Sequence, residues 1–248
     1  MKTILFTPGA NSIICGALLL SGSLLACFGA DGPPTIVKIG SSRVRLVPPE
    51  GYIDCSGEND PVRNFAENFC PPANRLLGVF GSEEFRRSAL AGEAPPMFDY
   101  ALVEVSRGLI WRDATTADFA EASNSLKREQ KTLFCRAEPE LKAAINRLNR
   151  SLQEATGENV SLNLGQPVSL GVFDESSRHI SILMLMRMQL NSRGKSDSSK
   201  VAATISLIHV NGKVIFAYAY RAYTGEPSVT KLKAFTTDWI TKLAKANE

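Results

Sequence analysis

The stretch Lys200-Val-Ala-Ala-Thr-Ile-Ser-Leu-Ile-His-Val210-Asn211-Gly212-Lys213-Val-Ile-Phe-Ala-Tyr-Ala-Tyr-Arg-Ala-Tyr223 reads as two β-strands joined by a two-residue turn. Asn-Gly between apolar runs favours a type I′ turn, which needs positive φ at both central residues. That turn sets Val210 against Lys213, and the rest of the register follows. One face then carries His209/Val214, Leu207/Phe216, Ile205/Tyr218, Ala203/Tyr220 and Val201/Ala222, aliphatic side chains set against aromatic ones, and is expected to be a core face. The other carries Ile208/Ile215, Ser206/Ala217, Thr204/Ala219 and Ala202/Arg221. These are mostly small, so a second layer of backbone can approach closely. The expectation is a sheet covered on both faces.

Outward from the hairpin, a helix from about Ser228 to Asn247 turns Leu232, Phe235, Trp239 and Leu243 to one side and is expected to lie across the sheet. Upstream, Val168 to Phe173 and His179 to Leu190 read as a hairpin, with a polar loop from Asn191 to Ser199 leading on. Two helices precede them. One runs from the capping box at Thr115-Thr-Ala-Asp118 to Cys135, and the other restarts at Glu138-Pro139 and ends at Gly157. Nearer the start, Thr35 to Ile39 and Arg43 to Val47 are short strands closed by Pro48-Pro49, and Asp60-Pro61 opens a helix ended by Pro71-Pro72. Strands are expected over Arg75 to Gly81 and within Met97 to Arg107. The fold class is α+β, mainly antiparallel with helices on both faces, an α/β/α sandwich.

The 248 residues are 44% apolar and 21% charged with a formal net charge of +3, a globular balance without the basic stripe of a nucleic-acid binder. No nucleic-acid partner is expected. Met1 to Ala30 carries Lys2 and no acid, and Ile13 to Leu25 is a 13-residue apolar stretch, the length of a signal-peptide core and too short to span a bilayer. It ends in Leu24-Leu25-Ala26-Cys27, which resembles the lipobox of bacterial lipoproteins. That resemblance implies a signal peptide over 1–26, a diacylated Cys27 and a tether over 27–34, with the membrane reached through acyl chains. The rest of the sequence shows no internal repeat, long low-complexity segment or domain linker, so a single domain is expected over 35–248. Ordinary cleavage near Gly29 or Ala30 is the alternative. Either route exports the chain to the periplasm or the periplasmic face of the outer membrane.

Disulfides persist in that compartment. Cys55 and Cys70 close a short loop and are expected to bridge, worth about 3 kcal/mol, which leaves Cys135 as a small hydrophobe on a helix. No Cys-x-x-Cys is present.

Candidate chemistry is sparse. Met184, Met186 and Met188 alternate onto one strand face, and three thioethers suit Cu(I); the same face carries Ile180, Ile182 and Leu190, as a core does. His209 abuts the Asn-Gly turn, and His179, beside Arg178, is expected to be solvated. Asp113, Asp118, Glu138 and Glu140 sit where helix N-termini favour acids. Tyr218 and Tyr220 point to the aromatic face, while Tyr223 at the strand end is expected to be exposed. No catalytic, cofactor or metal residues are assigned.

The element order, with Arg45-Leu-Val-Pro-Pro-Glu-Gly-Tyr52 ending the first strand pair and the Trp239 helix closing the chain, resembles PsbP-like α/β/α sandwich proteins of extracytoplasmic compartments. That resemblance implies a non-catalytic accessory or assembly module. Binding is therefore the first reading. An envelope hydrolase built from carboxylates and His209 is the alternative, and Cu(I) binding by the methionine row is a third.

Overall fold

The computed structural model describes residues 34–90, 99–136, 138–157, 159, 161–192 and 195–248. The expected signal peptide, Cys15, Cys27 and the expected tether up to residue 33 lie outside them. At the organising hairpin, β9 (Lys195–Val210) and β10 (Lys213–Ala222) pair from Val210 opposite Lys213 to Val201 opposite Ala222. Asn211 and Gly212 both take positive φ, 50° and 72°, as the type I′ turn requires.

Both faces of this hairpin pack against other elements, to different depths. Ile215, Ala217 and Ala219 are fully buried, whereas Val214, Phe216, Tyr218 and Tyr220 keep part of their surface in solvent. The deeper core is thus on the small-residue face, because short side chains let α5 (Glu226–Lys245) sit close. Against it α5 packs Val229, Leu232, Trp239, Ile240 and Leu243. Trp239 donates from Nε1 to the Val47 carbonyl at 2.8 Å and meets Phe80 edge-on, with ring centroids 6.0 Å apart. Thr204 and Thr236 pair their buried hydroxyls at 2.9 Å across the same seam. The ribbon of β1 (Thr35–Ile39) and β2 (Ser42–Leu46) completes this core with Ile39, Val44 and Leu46.

Among the described residues the main sheet has eight strands, all paired antiparallel. Its order is β3 (Tyr52–Asp54), β4 (Asn74–Ser82), β5 (Tyr100–Ser106), β10, β9, β8 (His179–Ser192) and β6 (Ser161–Leu164). β7 (Val168–Glu175) also pairs with β8. The fold is therefore α+β with a mainly antiparallel sheet. The polar stretch expected to be a loop is mostly strand, since β8 and β9 stay paired out to Ser192 opposite Lys195. Ladder bonds are made by backbone groups, so the polar side chains of Gln189, Ser196 and Ser198 do not stop them.

α1 (Pro61–Phe69) begins with Pro61 and is capped by the Asp60 carboxylate, which accepts from Val62 N at 2.9 Å. With α2 (Glu83–Leu90) it buries Val62, Ala66 and Phe85 against Val79, Tyr100 and Leu102. α3 (Thr116–Arg136) places Phe119 on Ile180 and Leu207, and α4 (Glu138–Thr156) places Ile145 and Leu148 on Leu162, Met188 and Val201. Among the described residues, no helix is long and apolar enough to cross a membrane.

Candidate functional site

On the half-exposed face of β10, register with β5 sets Glu104 opposite Phe216, Leu102 opposite Tyr218 and Tyr100 opposite Tyr220. The three tyrosines form a ladder. Tyr100 and Tyr220 stack with centroids 4.8 Å apart at 24°, and Tyr218 and Tyr220 lie 6.5 Å apart at 9°. Glu104 is buried at the end of this aromatic wall. It accepts from Asn74 Nδ2 at 2.8 Å and from the Cys70 thiol.

Burial raises the Glu104 carboxyl above the usual carboxylate range, against the lowering effect of those two donors. Burial, then the Glu104 charge, pushes the Cys70 thiol up to about 12, so it is not a thiolate nucleophile at neutral pH. The phenols of Tyr100, Tyr218 and Tyr220 are likewise raised, first by burial and then by neighbouring acidic groups. The arrangement is a neutral aromatic wall with one buried acid. Tyr218 and Tyr220 keep part of their rings in solvent, where a flat apolar group can stack, whereas Tyr100 and Glu104 are buried.

Sequence reading missed Glu104. Its signal was a lone acid in the apolar run Tyr100-Ala-Leu-Val-Glu-Val, a position where a carboxylate has no solvent unless it finds donors. Tyr218 and Tyr220 were expected on this face and are there; Tyr223 is half-buried against the α5 core.

The other expected residues scatter. His209 is half-buried, with Nε2 2.8 Å from the Ala114 carbonyl and its ring stacked on Phe119 at 5.6 Å. It lines a shallow cleft of about 470 Å³ with Arg178 and Asn211. His179 is buried and not solvated, because the β7–β8 turn folds over it. Its Nδ1 meets Ser176 Oγ at 2.9 Å, and its Nε2 lies 3.2 Å from Asp174 Oδ2, off the line that a good hydrogen bond needs. Asp113 pairs with Lys213, and Asp118 closes the expected capping box with Thr115, whose hydroxyl holds its carboxyl low. The side chains of Glu138, Glu140 and Cys135 lie outside the described residues. Met184 and Met188 are buried, and Met186 packs beside Met188 and Leu190 in the α4 cluster.

Cys55 and Cys70 stand as unpaired thiols in this structure. α1, a nine-residue rod of about 13 Å, lies between them in sequence. Cys55 packs behind Gly81 and Phe85, while Cys70 is at the far end beside Glu104.

No family model matches the chain, and no curated protein or solved structure matches it either.

Proposed function

We propose that this chain is an exported bacterial envelope protein, lipid-anchored at Cys27, that acts as a non-catalytic binding or assembly module. Its architecture on this reading is the α/β/α sandwich of PsbP-like proteins, with α5 on the small-residue face and α1 to α4 over the aromatic one. Support for export comes from the apolar segment ending at Cys27. Support for binding comes from one observation: Tyr218 and Tyr220 keep part of their rings in solvent, stacked in line with the buried Tyr100, an aromatic edge on which a flat group can lie. The ligand class that suits it is a flat, uncharged apolar molecule.

The hydrolase alternative needs His209 Nε2 for proton transfer, and that atom is already hydrogen-bonded to Ala114 O. The copper alternative needs thioethers that solvent can reach, and Met184 and Met188 are buried.

Two measurements test the proposal. Intact mass and fractionation in a Gram-negative host, beside Cys27→Ala, should show a diacylglyceryl modification and membrane partitioning that the variant loses; a product cleaved after Gly29 or Ala30 would remove the anchor. Nile red, a neutral flat dye, should brighten on the folded protein and lose that response in Tyr218→Ser with the thermal transition retained. An unchanged response in Tyr218→Ser, or ester hydrolysis that depends on His209, would overturn binding at this face.

A further inference from the structure

Trp111 is the most exposed large apolar side chain among the described residues, 81% in solvent, and the shorter Leu109 beside it is also exposed. The loop that carries it, Arg107-Gly-Leu-Ile-Trp-Arg-Asp113, is held firmly. Lys213 Nζ donates to the Ile110 and Arg112 carbonyls at 3.1 Å each and pairs with Asp113 Oδ1 at 2.6 Å. Ala114 N donates to Gly212 O at 2.8 Å, and His209 meets the Ala114 carbonyl. From the other side Gly40, at the tip of the β1–β2 ribbon, packs directly on Ile110 O. The loop therefore presents an indole to water on a rigid base.

The ribbon that abuts this loop is cationic. Register sets Ile36 opposite Arg45 and Lys38 opposite Arg43, and all four are exposed, while Ile39, Val44 and Leu46 fill the core. No acid occurs between Pro34 and Val47. Arg75 reaches the Lys38 carbonyl at 2.6 Å, and Arg112 follows Trp111 in the loop. Asp113 is the one acid between Arg107 and Ala114, and Lys213 engages it.

We propose that the Trp111 loop and the outer face of the β1–β2 ribbon rest together on an anionic lipid surface. Trp111 and Leu109 enter the headgroup region, where an indole is favoured for its apolar body and polar N–H. Lys38, Arg43, Arg45 and Arg112 face the phosphates, and each cation adds to an attraction that salt screens. A protein partner would equally use an exposed tryptophan, but an acid-free basic ribbon beside it fits phosphate better than a mixed protein surface. The position of the ribbon in the chain agrees. Thr35 follows the tether over 27–34, whose full extension is about 28 Å, so a Cys27 acyl chain would deliver this ribbon to the bilayer. The inference deepens the lipid-anchor reading but does not need it.

The test uses the full chain carrying Cys27→Ala, so that no acyl chain contributes. Its two tryptophans separate cleanly, since Trp239 is 1% exposed and reports folding. The probe is vesicles of phosphatidylglycerol mixed with phosphatidylcholine, against pure phosphatidylcholine, with brominated lipid as quencher. Because the apolar segment over 13–25 can bind both vesicle types, Trp111 emission is read rather than co-sedimentation. On the anionic vesicles Trp111 emission should shift to the blue and be quenched, and the difference between vesicle types should disappear in Lys38→Glu with Arg43→Glu and in high salt. Trp111→Phe should leave only the unquenched Trp239 signal. Trp111 emission unchanged on anionic vesicles with Trp239 still buried would overturn the proposal, as would a blue shift that needs only higher protein concentration and no lipid, the mark of self-association. An unmodified Cys27 would sink the anchor and leave this result standing.

Discussion

Lys213 and Asp113 meet at 2.6 Å across the mouth of the organising hairpin, yet Lys213 is 1% exposed and the Asp113 side chain 71%. The ammonium is thus buried while its counter-ion sits in water, and the two backbone carbonyls of the Trp111 loop supply the rest of its coordination. All three ammonium protons have acceptors. Lys213→Met should cost about 1–3 kcal/mol, because it leaves the Ile110 and Arg112 carbonyls without their donor. It should also quicken amide exchange over Ile110 to Ala114 and lower the fluorescence anisotropy of Trp111. Asp113→Asn should cost less than about 1 kcal/mol, since an exposed carboxylate is screened. Equal losses in the two variants, or unchanged Trp111 anisotropy in Lys213→Met, would show that the carbonyl contacts do not hold the loop.

Glu104 gives the pH dependence a sign. Burial raises its carboxyl pKa in the folded state, so between the ordinary carboxyl value and that raised value the folded chain binds more protons than the unfolded one. Stability from this group is therefore complete below the ordinary value and falls as pH rises towards the raised one. Glu104→Gln keeps an oxygen for Asn74 Nδ2 and cannot ionise. The variant should match or exceed the native chain in urea midpoint at neutral pH and should flatten the decline seen between acid and neutral conditions. A native midpoint that rises over this window and loses that rise in the variant would reverse the assignment.

Much of the frame was legible because it rests on local chemistry. Asn211-Gly212 specified the turn, and the ladder from Val210/Lys213 to Val201/Ala222 followed without slippage. Asp60-Pro61 and Thr115 to Asp118 carried their own caps, and Gly157 takes the positive φ expected at the end of α4. What was not legible depended on distant partners. Glu104 gains meaning only when Cys70, at the end of α1, and Asn74, at the start of β4, arrive beside it, and His179 is buried by a turn whose Ser176 is nothing in the sequence but a polar residue. Close approach at the small-residue face was legible from Ala217 and Ala219, and α5 fills it; how much more deeply that face is buried than the aromatic one was not.

The thiols of Cys55 and Cys70 should behave as unpaired and unreactive. Burial pushes Cys55 up to about 11 and Cys70 up to about 12, so neither is appreciably ionised near neutrality. Both should resist iodoacetamide in the folded protein and react on unfolding, and dithiothreitol should leave the thermal midpoint where it is. A midpoint that falls on reduction would show a bridge between them, with α1 rearranged to permit it.

Gly40 is where the fold fixes the Trp111 loop most tightly. It has φ of 59°, and a Cβ there would lie 2.4 Å from the Ile110 carbonyl oxygen, closer than any real contact. Gly40→Ala thus adds two penalties at once, a left-handed conformation that a side chain disfavours and a clash with backbone that cannot swing aside. Together they should cost about 2–4 kcal/mol, above the usual effect of a surface turn substitution. Gly51 makes the comparison sharp. Its φ is 77° and nothing lies within 4 Å of its Cβ position, so Gly51→Ala carries the conformational penalty alone and should cost about 1 kcal/mol. The difference between the two variants measures the contact between the ribbon tip and the loop. If urea midpoints for the two coincide, Gly40 is only a turn residue, and the loop is held by its contacts with Lys213, Gly212 and His209.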